Sequence, residues 1–542
     1  MLFHISINNG NKLTNSRDRL LTYLFSLVLT GMIVLSNYPI WTVGGIREIF
    51  VLTGLSIGVF CSVETILEAI VFYIYSTNKP QEEEISKKDT QFPKKCFWIS
   101  FLLIVFIDTI VLFLCKYPGN LTADSINQIN MIKNGVYTNH HPFAHTMVIK
   151  ACITFGEVIF NDINQAVCVY AVFQILFMAY SFSFSAKTVA EATNSKAVPI
   201  IILIFNAIMP YNIAYSITMW KDVMFGGFTL LLVVFLYRCL AGIGSNRLNL
   251  MGLFISGLGV CLFRSNGLFA YLGTTIIFAI LFGRQKDKHK ILIIMGITIV
   301  CTLFFNKVCL NAISVEPGDT VEKLSIPLQQ VAKDIIDNDD WNSEQLELIE
   351  KVVDLDAVKR DYLPYISDPV KAIVRQSGNK QYFDENPRAF ISLYLNRLVK
   401  HPATYVQAWV EQTKGYWNSG YGYWRWLDMV DANMHGIERT VKSEQLNGWV
   451  ERYFDIYTKS KILQLFVSIG LFTWINMATL FAALIMRDKI KLLLSIPTLM
   501  VVISLVIATP VFSEFRYDYA MFCAMPVVVA LTVTGVRTKI YG

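Results

Sequence analysis

Repeated apolar runs of about 20 residues decide what this chain can become, because each one, wound as a helix, matches the ~30 Å hydrocarbon layer of a bilayer. Leu20–Ser36, Phe97–Leu114, Leu230–Tyr237 with its flanks, Ile291–Phe305 and Leu492–Ile507 are clear instances. Hydrophobic residues make up 54% of the 542 and charged residues 16%, too little polar surface to cover a water-soluble core of this size. The first run follows Arg17 and Arg19, with no small-residue cleavage site before the next charged stretch, and so reads as a retained helix. Ten cysteines occur, none between 311 and 460 and none in a CxxC pair, which argues against disulfide stapling and against a zinc knuckle.

The formal charge of +6 is unevenly spread. Residues 311–460 hold 23 of the 41 acidic and 17 of the 47 basic groups, a net of −6, which leaves +12 elsewhere. That surplus lies mostly in short loops, where it sets membrane orientation and needs no nucleic-acid partner to explain it. The basic stretches are Lys12–Arg19, Lys79–Lys95, Lys187–Lys196, Arg238–Arg247, Arg284–Lys290, Arg487–Lys491 and Arg537–Lys539. If all face the cytoplasm, an even number of spans separates each neighbouring pair. Two short helices then fit between Arg247 and Arg284, with the break at Arg264-Ser265-Asn266-Gly267 as an outer tip. Between Lys95 and Lys187 lie three apolar stretches, near 97–115, 142–160 and 165–186. The middle one carries His145, Lys150 and Glu157, so parity makes it a surface or re-entrant helix; the alternative puts Lys187–Lys196 outside.

The expected fold is an all-α polytopic membrane protein with 12 transmembrane helices, in the cell membrane, with both termini cytoplasmic. Residues 1–96 form a two-helix segment and cytoplasmic loop, and 97–310 a transmembrane core whose first outer loop is 116–164. Residues 311–460 form a mainly helical extracytoplasmic domain, with 3.6-residue apolar spacing in Trp341–Leu355 and Pro387–Lys400. Residues 461–542 supply the last helices. Every conspicuous polar cluster then falls on one face.

The first outer loop contains Asp124-Ser125 with Gln128, followed by Asn139-His140-His141-Pro142. A carboxylate just beyond a span suits a general base that deprotonates an acceptor hydroxyl. His140, His141 and His145, three of the seven histidines, could bind a phosphate, shuttle protons or join Asp124 on a divalent metal. The plain alternative is a polar loop with a helix cap at Asp124 or Ser125. Trp220-Lys221-Asp222 could snorkel and pair, or meet an anionic headgroup. Arg264 interrupts an apolar run and needs a partner there, and the Ser265-Asn266-Gly267 turn can aim backbone N–H groups at whatever it holds. In Glu514-Phe515-Arg516-Tyr517, Arg516 could clamp a phosphate or merely pair with Glu514 or Asp518. The aromatic run from Tyr416 to Trp426 could stack a sugar or form an interfacial belt. No GxxxxGK[ST] or GxGxxG occurs, which argues against ATP-driven transport and a Rossmann-type nucleotide-sugar enzyme.

An acidic residue in a long outer loop, His141-Pro142 opening the next helix, many spans and a late exterior domain together resemble the GT-C glycosyltransferase superfamily. That superfamily includes protein O-mannosyltransferases and lipid A aminoarabinose transferases. More narrowly, Asp124-Ser125 with Gln128, His140-His141-Pro142, Trp220-Lys221-Asp222, Arg264-Ser265-Asn266-Gly267, Glu514-Phe515-Arg516-Tyr517 and Ser325–Gln330 look like a set of bacterial membrane proteins. The resemblance spans roughly 97–536. It departs in the two extra N-terminal spans, in Phe143 where a second proline is usual, and in Ser125 where the acidic pair is reduced.

The resemblance implies transfer of a sugar from a polyprenyl-phosphate donor to an envelope glycan, lipid or protein acceptor at the outer face. Asp124 would be the catalytic base, and Lys221, Arg264 and Arg516 would hold the donor phosphate. Gln128, His140, His141, Asp222, Asn266, Glu514 and Tyr517 would bind substrate. No cofactor and no metal is expected. The reading from another class is a transporter or flippase of a lipid-linked or anionic solute.

Overall fold

The computed structural model describes residues 15–38, 45–77, 91–193, 195–421 and 433–534. Every regular element among them is helical, and β pairing is confined to isolated bridges. Eleven helices among the described residues are long and apolar enough to cross a membrane, or twelve if Ala197–Ile208 and Pro210–Ser216 make one broken span bent by 58°. The break falls where Pro210 removes a backbone donor and crowds the preceding turn. The chain is on this evidence a multi-pass membrane protein.

Two helices lie at the edge of the length and composition that a span needs. Phe143–Phe160, expected to lie on the surface, has the length and composition of a span, and both of its ends meet the polar segment 311–460: Asn139 N–H donates to the Glu316 carbonyl before it, and Asn164 accepts from Glu438 N–H at 2.9 Å after it. Its polar groups are answered within the protein. His145 is buried, with its ring nitrogens 3.1 Å from Gln128 Oε1 and 2.7 Å from the Tyr170 hydroxyl. Lys150 Nζ donates to the Tyr137 hydroxyl at 2.9 Å, and Glu157 pairs with Lys133. Polar groups so paired do not bar an apolar setting. Gly267–Phe282, expected to cross as one of two short helices, has 16 residues, about 24 Å of helix, and runs beside Lys489–Ala508, with Asn266 donating to Ser504 at one end and Lys489 to the Leu281 carbonyl at the other.

The helix Lys221–Ala241 forms the axis, buried along nearly its whole length. Asn246–Phe263 lies against it at close range because Gly252 and Gly259 leave room for aromatic rings. A Cβ there would meet Phe235 at 2.3 Å and Phe228 at 2.1 Å.

The polar segment between the spans has a core of its own, including Leu328, Val331, Ile349, Val374, Phe383 and Phe390. Arg397 is fully buried there, donating to Asp334 at 2.7 and 3.1 Å and lying 4.1 Å from the Trp341 ring, so its charge is both paired and hydrogen-bonded. The Ser325–Gln330 motif is structural: Gln329 donates to the Leu363 carbonyl at 2.5 Å, and Gln330 joins Tyr394 to the Tyr405 carbonyl, both at 2.9 Å.

This segment grips two distant parts of the chain. Toward the last spans, Ser367 N–H donates to the Pro510 carbonyl and Phe512 N–H to the Tyr365 carbonyl, both at 2.9 Å. Trp409 and Gln412 donate to the Val506 and Thr509 carbonyls, and the Tyr416 hydroxyl to Val511, each at 2.8 Å. Toward the first loop, Asn139 N–H donates to the Glu316 carbonyl and Thr440 N–H to Tyr117. Lys116 pairs with Glu451 at 2.8 Å. Tyr416 and Trp417 of the aromatic run are thus buried as anchors; Tyr423, Trp424, Arg425 and Trp426 lie outside the described residues.

Candidate functional site

Gly119, at φ 126°, takes a conformation closed to side chains, with Ile217 O only 3.1 Å from where a Cβ would stand. The tight passage lets Asn120 pair with the strand-like stretch before Trp220: Asn120 N–H donates to Ile217 O at 2.8 Å and Met219 N–H to Asn120 O at 2.9 Å. Thr122 then caps the helix Ala123–Asn134 in a capping box with Ser125. Ser125 Oγ also donates to the Met219 carbonyl at 2.8 Å, and Trp220 Nε1 donates to Thr122 Oγ1 at 2.7 Å. Two helix starts, at Ala123 and at Lys221, are thereby stitched side by side. Asp124 stands in the first turn of one, a position that favours a carboxylate, and Lys221 opens the other.

The third contributor arrives from near the C-terminus. Arg516 NH1 donates to Asp124 Oδ2 at 2.8 Å, and Lys221 Nζ lies 3.4 Å from the same oxygen. Lys221 Nζ is also 3.3 Å from His141 Nδ1. The Arg516 guanidinium lies 5.1 Å from the Trp220 ring and 5.2 Å from the Tyr517 ring, with Glu514 at 3.7 Å. The side chains of Asp124, Arg516 and Lys221 keep 27, 20 and 17% of their exposure, enough for a solute to reach them.

The electrostatics follow from these contacts. Burial pushes the Asp124 carboxyl up, but Lys221 and Arg516 together outweigh it and hold it well below the usual carboxylate range. Burial and the neighbouring Lys221 bring His141 down to about 3, so its ring is neutral at ordinary pH. An ammonium can only donate, so Nδ1 accepts from Lys221 and the ring proton sits on Nε2. That nitrogen is buried without a hydrogen-bond partner.

Behind this group stands a bracket. Arg264 pairs with the buried Asp222, donates to the Tyr517 carbonyl at 3.2 Å and to Asn266 Oδ1 at 3.1 Å, and lies 4.8 Å from the Tyr517 ring. Asn266 in turn donates to Ser504 Oγ at 2.8 Å. The bracket fixes the backbone immediately after Arg516.

Of the residues singled out in the sequence, Asp124, Lys221, Arg516 and His141 touch one another, and Glu514 borders them. Arg264, Asp222, Asn266 and Tyr517 form the bracket. Gln128 is elsewhere: its amide is buried, donating to Thr146 at 2.8 Å and facing His145. His140 is exposed and sets its ring edge-on to His141 at 4.8 Å. Sequence reasoning missed Thr122, which joins the two helix starts, and the cation–π role of Trp220; only the adjacency of Trp220 to Lys221 hinted at the latter. It also missed Asp108, buried within the bundle and accepting from Ser216 Oγ at 2.7 Å. Among the described residues no three His, Cys, Asp or Glu side chains are gathered as a metal site.

A family of unknown function, DUF6020, matches residues 132–540, a stretch that takes in Lys221, Arg264 and Arg516 and begins just after Asp124. No curated protein and no solved structure matches the chain.

Proposed function

The chain belongs to the DUF6020 family, and on that premise we propose that it is a GT-C-type membrane glycosyltransferase, moving a sugar from a polyprenyl-phosphate donor to a cell-envelope acceptor. What carries the reading is a single carboxylate oxygen, Asp124 Oδ2, gripped by two cations from distant parts of the chain at a partly open position. As it stands Asp124 is a poor base, because its pKa is depressed far from working pH. The donor's phosphate, a diester with one negative charge shared by two free oxygens, offers Lys221 and Arg516 a bidentate alternative. Once they turn to it, Asp124 loses the neighbours that depress its pKa and becomes free to accept a proton.

The reaction then balances simply. The acceptor hydroxyl oxygen attacks the anomeric carbon in line, and its proton passes to Asp124. The bond from that carbon to the phosphate oxygen breaks, and the polyprenyl phosphate leaves with the electron pair. Lys221 and Arg516 stabilise the charge that builds on it, while the neutral His141 supplies an Nε2–H donor. The configuration inverts. Arg264 acts from behind as a positioning residue. On this reading residues 311–460 and the loop ends they grip lie outside the cytoplasm, and both termini within it.

The test is mass spectrometry of envelope glycans from cells with the wild-type protein, without it, and with Asp124→Asn. Loss of one glycosylated product in the last two, with normal membrane insertion, supports the reading; an unchanged product with Asp124→Asn removes it. Thiol labelling that puts loop 116–141 and the 509–517 turn on opposite membrane sides would sink it too.

One observation favours a second reading, a cation- or proton-coupled carrier. The broken span bends by 58°, and Ser216 of its short half donates to the buried Asp108, the kind of interrupted helix and intramembrane carboxylate that carriers use. Solute uptake that disappears with Asp108→Asn but survives Asp124→Asn would select it.

A further inference from the structure

The helix Lys221–Ala241 carries charge at both ends, and the second end has a cavity of its own. From Lys221 to Arg238 is about 26 Å along the axis, close to the hydrocarbon thickness, so Arg238 lies near the opposite membrane boundary from Asp124. There the helices Ile163–Ala192, Lys221–Ala241 and Asn246–Phe263 enclose a crevice of about 580 Å³. One end is polar. Arg238 is buried, pairs with Glu191, donates to Thr188 at 3.0 Å and to Asn249 at 3.2 Å, and lies 4.9 Å from the Phe184 ring. Lys187 reaches the same Glu191 at 3.8 Å. Of the charged side chains lining the crevice, two are therefore cationic and one anionic.

The rest of the crevice is apolar and opens sideways. Phe177, Phe228 and Phe235 line it, and Tyr180, Met251 and Ile255 at its lip are exposed on the bundle's flank, where hydrocarbon lies. From Phe177 to Lys187 the wall runs about 15 Å, half the hydrocarbon thickness and so the depth of one leaflet. A charged head at the boundary and a chain-length apolar slot below it describe one kind of occupant.

We propose that this crevice is a binding site for an anionic phospholipid, its phosphodiester at Lys187 and Arg238 and one acyl chain along the slot toward Phe177. Arg238 is held in place by Glu191, Thr188 and Asn249, so the head meets a fixed guanidinium, while the half-buried Lys187 can turn to it. The site is separate from the Asp124 group and does not depend on the activity proposed for it. A bound lipid here would tie together the three helices that enclose it.

Native mass spectrometry of the full-length protein, released from detergent after titration with phosphatidylglycerol or phosphatidylcholine of matched chains, tests it. One phosphatidylglycerol is expected to bind at least fivefold more tightly than phosphatidylcholine. Lys187→Gln should weaken phosphatidylglycerol about fivefold, the effect of one boundary cation, and leave phosphatidylcholine unchanged. Met251→Trp, which narrows the slot from an exposed position, should weaken both lipids. Lys150→Gln, a cation on another helix, should alter neither. Equal affinity for the two lipids would overturn the proposal, as would a Lys187→Gln variant that binds like wild type or is matched by Lys150→Gln.

Discussion

Replacing Asp124 with Asn separates a catalytic carboxylate from a structural one, because the two roles predict opposite changes in anion binding. In the wild-type site Asp124 Oδ2 sits 2.8 Å from Arg516 and 3.4 Å from Lys221, so an arriving phosphate must first displace it. At these distances bare Coulomb energies are several kcal/mol per pair at an effective dielectric of about 20. With all three side chains about a fifth to a quarter exposed, solvent screening reduces each pair to roughly 0.2–1 kcal/mol. Taking the upper end for both, asparagine should relieve up to about 2 kcal/mol of competition and tighten phosphate binding up to about 30-fold. Turnover should fall about 10²- to 10⁴-fold as the base is lost. The assay is titration of the purified protein with farnesyl phosphate, a short prenyl phosphate, beside a transfer assay with the polyprenyl-linked sugar. Weaker or unchanged farnesyl phosphate binding in Asp124→Asn would refute the displacement argument; undiminished transfer would refute the base.

Other perturbations have equally definite outcomes. His141 is depressed to about 3 against 6.5 unfolded, so the unfolded chain binds the extra proton between those values. Its stabilising contribution is full above about pH 6.5 and is lost as pH falls toward 3; Asp124, also depressed, adds loss below the ordinary carboxylate range. Thermal unfolding in detergent from pH 7 to 4 should show a falling midpoint, and His141→Gln should flatten the part between pH 6.5 and 4. Arg264→Met strands the fully buried Asp222 and should cost about 3–5 kcal/mol, seen as a drop in thermal midpoint. Asp222→Asn should cost less, because Arg264 keeps the Tyr517 carbonyl and Asn266. Gly267→Ala would set a Cβ 1.9 Å from the Val260 carbonyl, forcing the turn between two helices open at about 1–3 kcal/mol, read by the same melting experiment.

Much of the site was written in short motifs, and the structure gives each a distinct task. Trp220-Lys221-Asp222 is the start of a helix whose consecutive residues point to different partners: Trp220 toward Thr122 and Arg516, Lys221 toward Asp124, Asp222 toward Arg264. Gln128 and the Ser325–Gln330 motif carried no mark separating a binding residue from a structural one. An amide looks the same in sequence whether it faces a ligand or closes a buried network. Only the partners Thr146, His145, Leu363 and Tyr405 reveal which it does.

Local chemistry by itself fixed the broad class: apolar runs the length of a bilayer make helices that cross it, and caps and prolines mark where helices begin and break. What it could not fix was whether a polar residue inside such a run has a partner. His145, Lys150 and Glu157 set one such run apart in sequence, and packing supplied a partner for each. Nor could it bring Arg516 to Asp124, 392 residues away. That meeting depends on a polar segment that hydrogen-bonds to the 509–512 backbone on one side and to Tyr117 and Asn139 on the other. Hydropathy is a property of neighbours along the chain, whereas a site is made by neighbours in space, and burial and hydrogen bonding across the fold decide which those are.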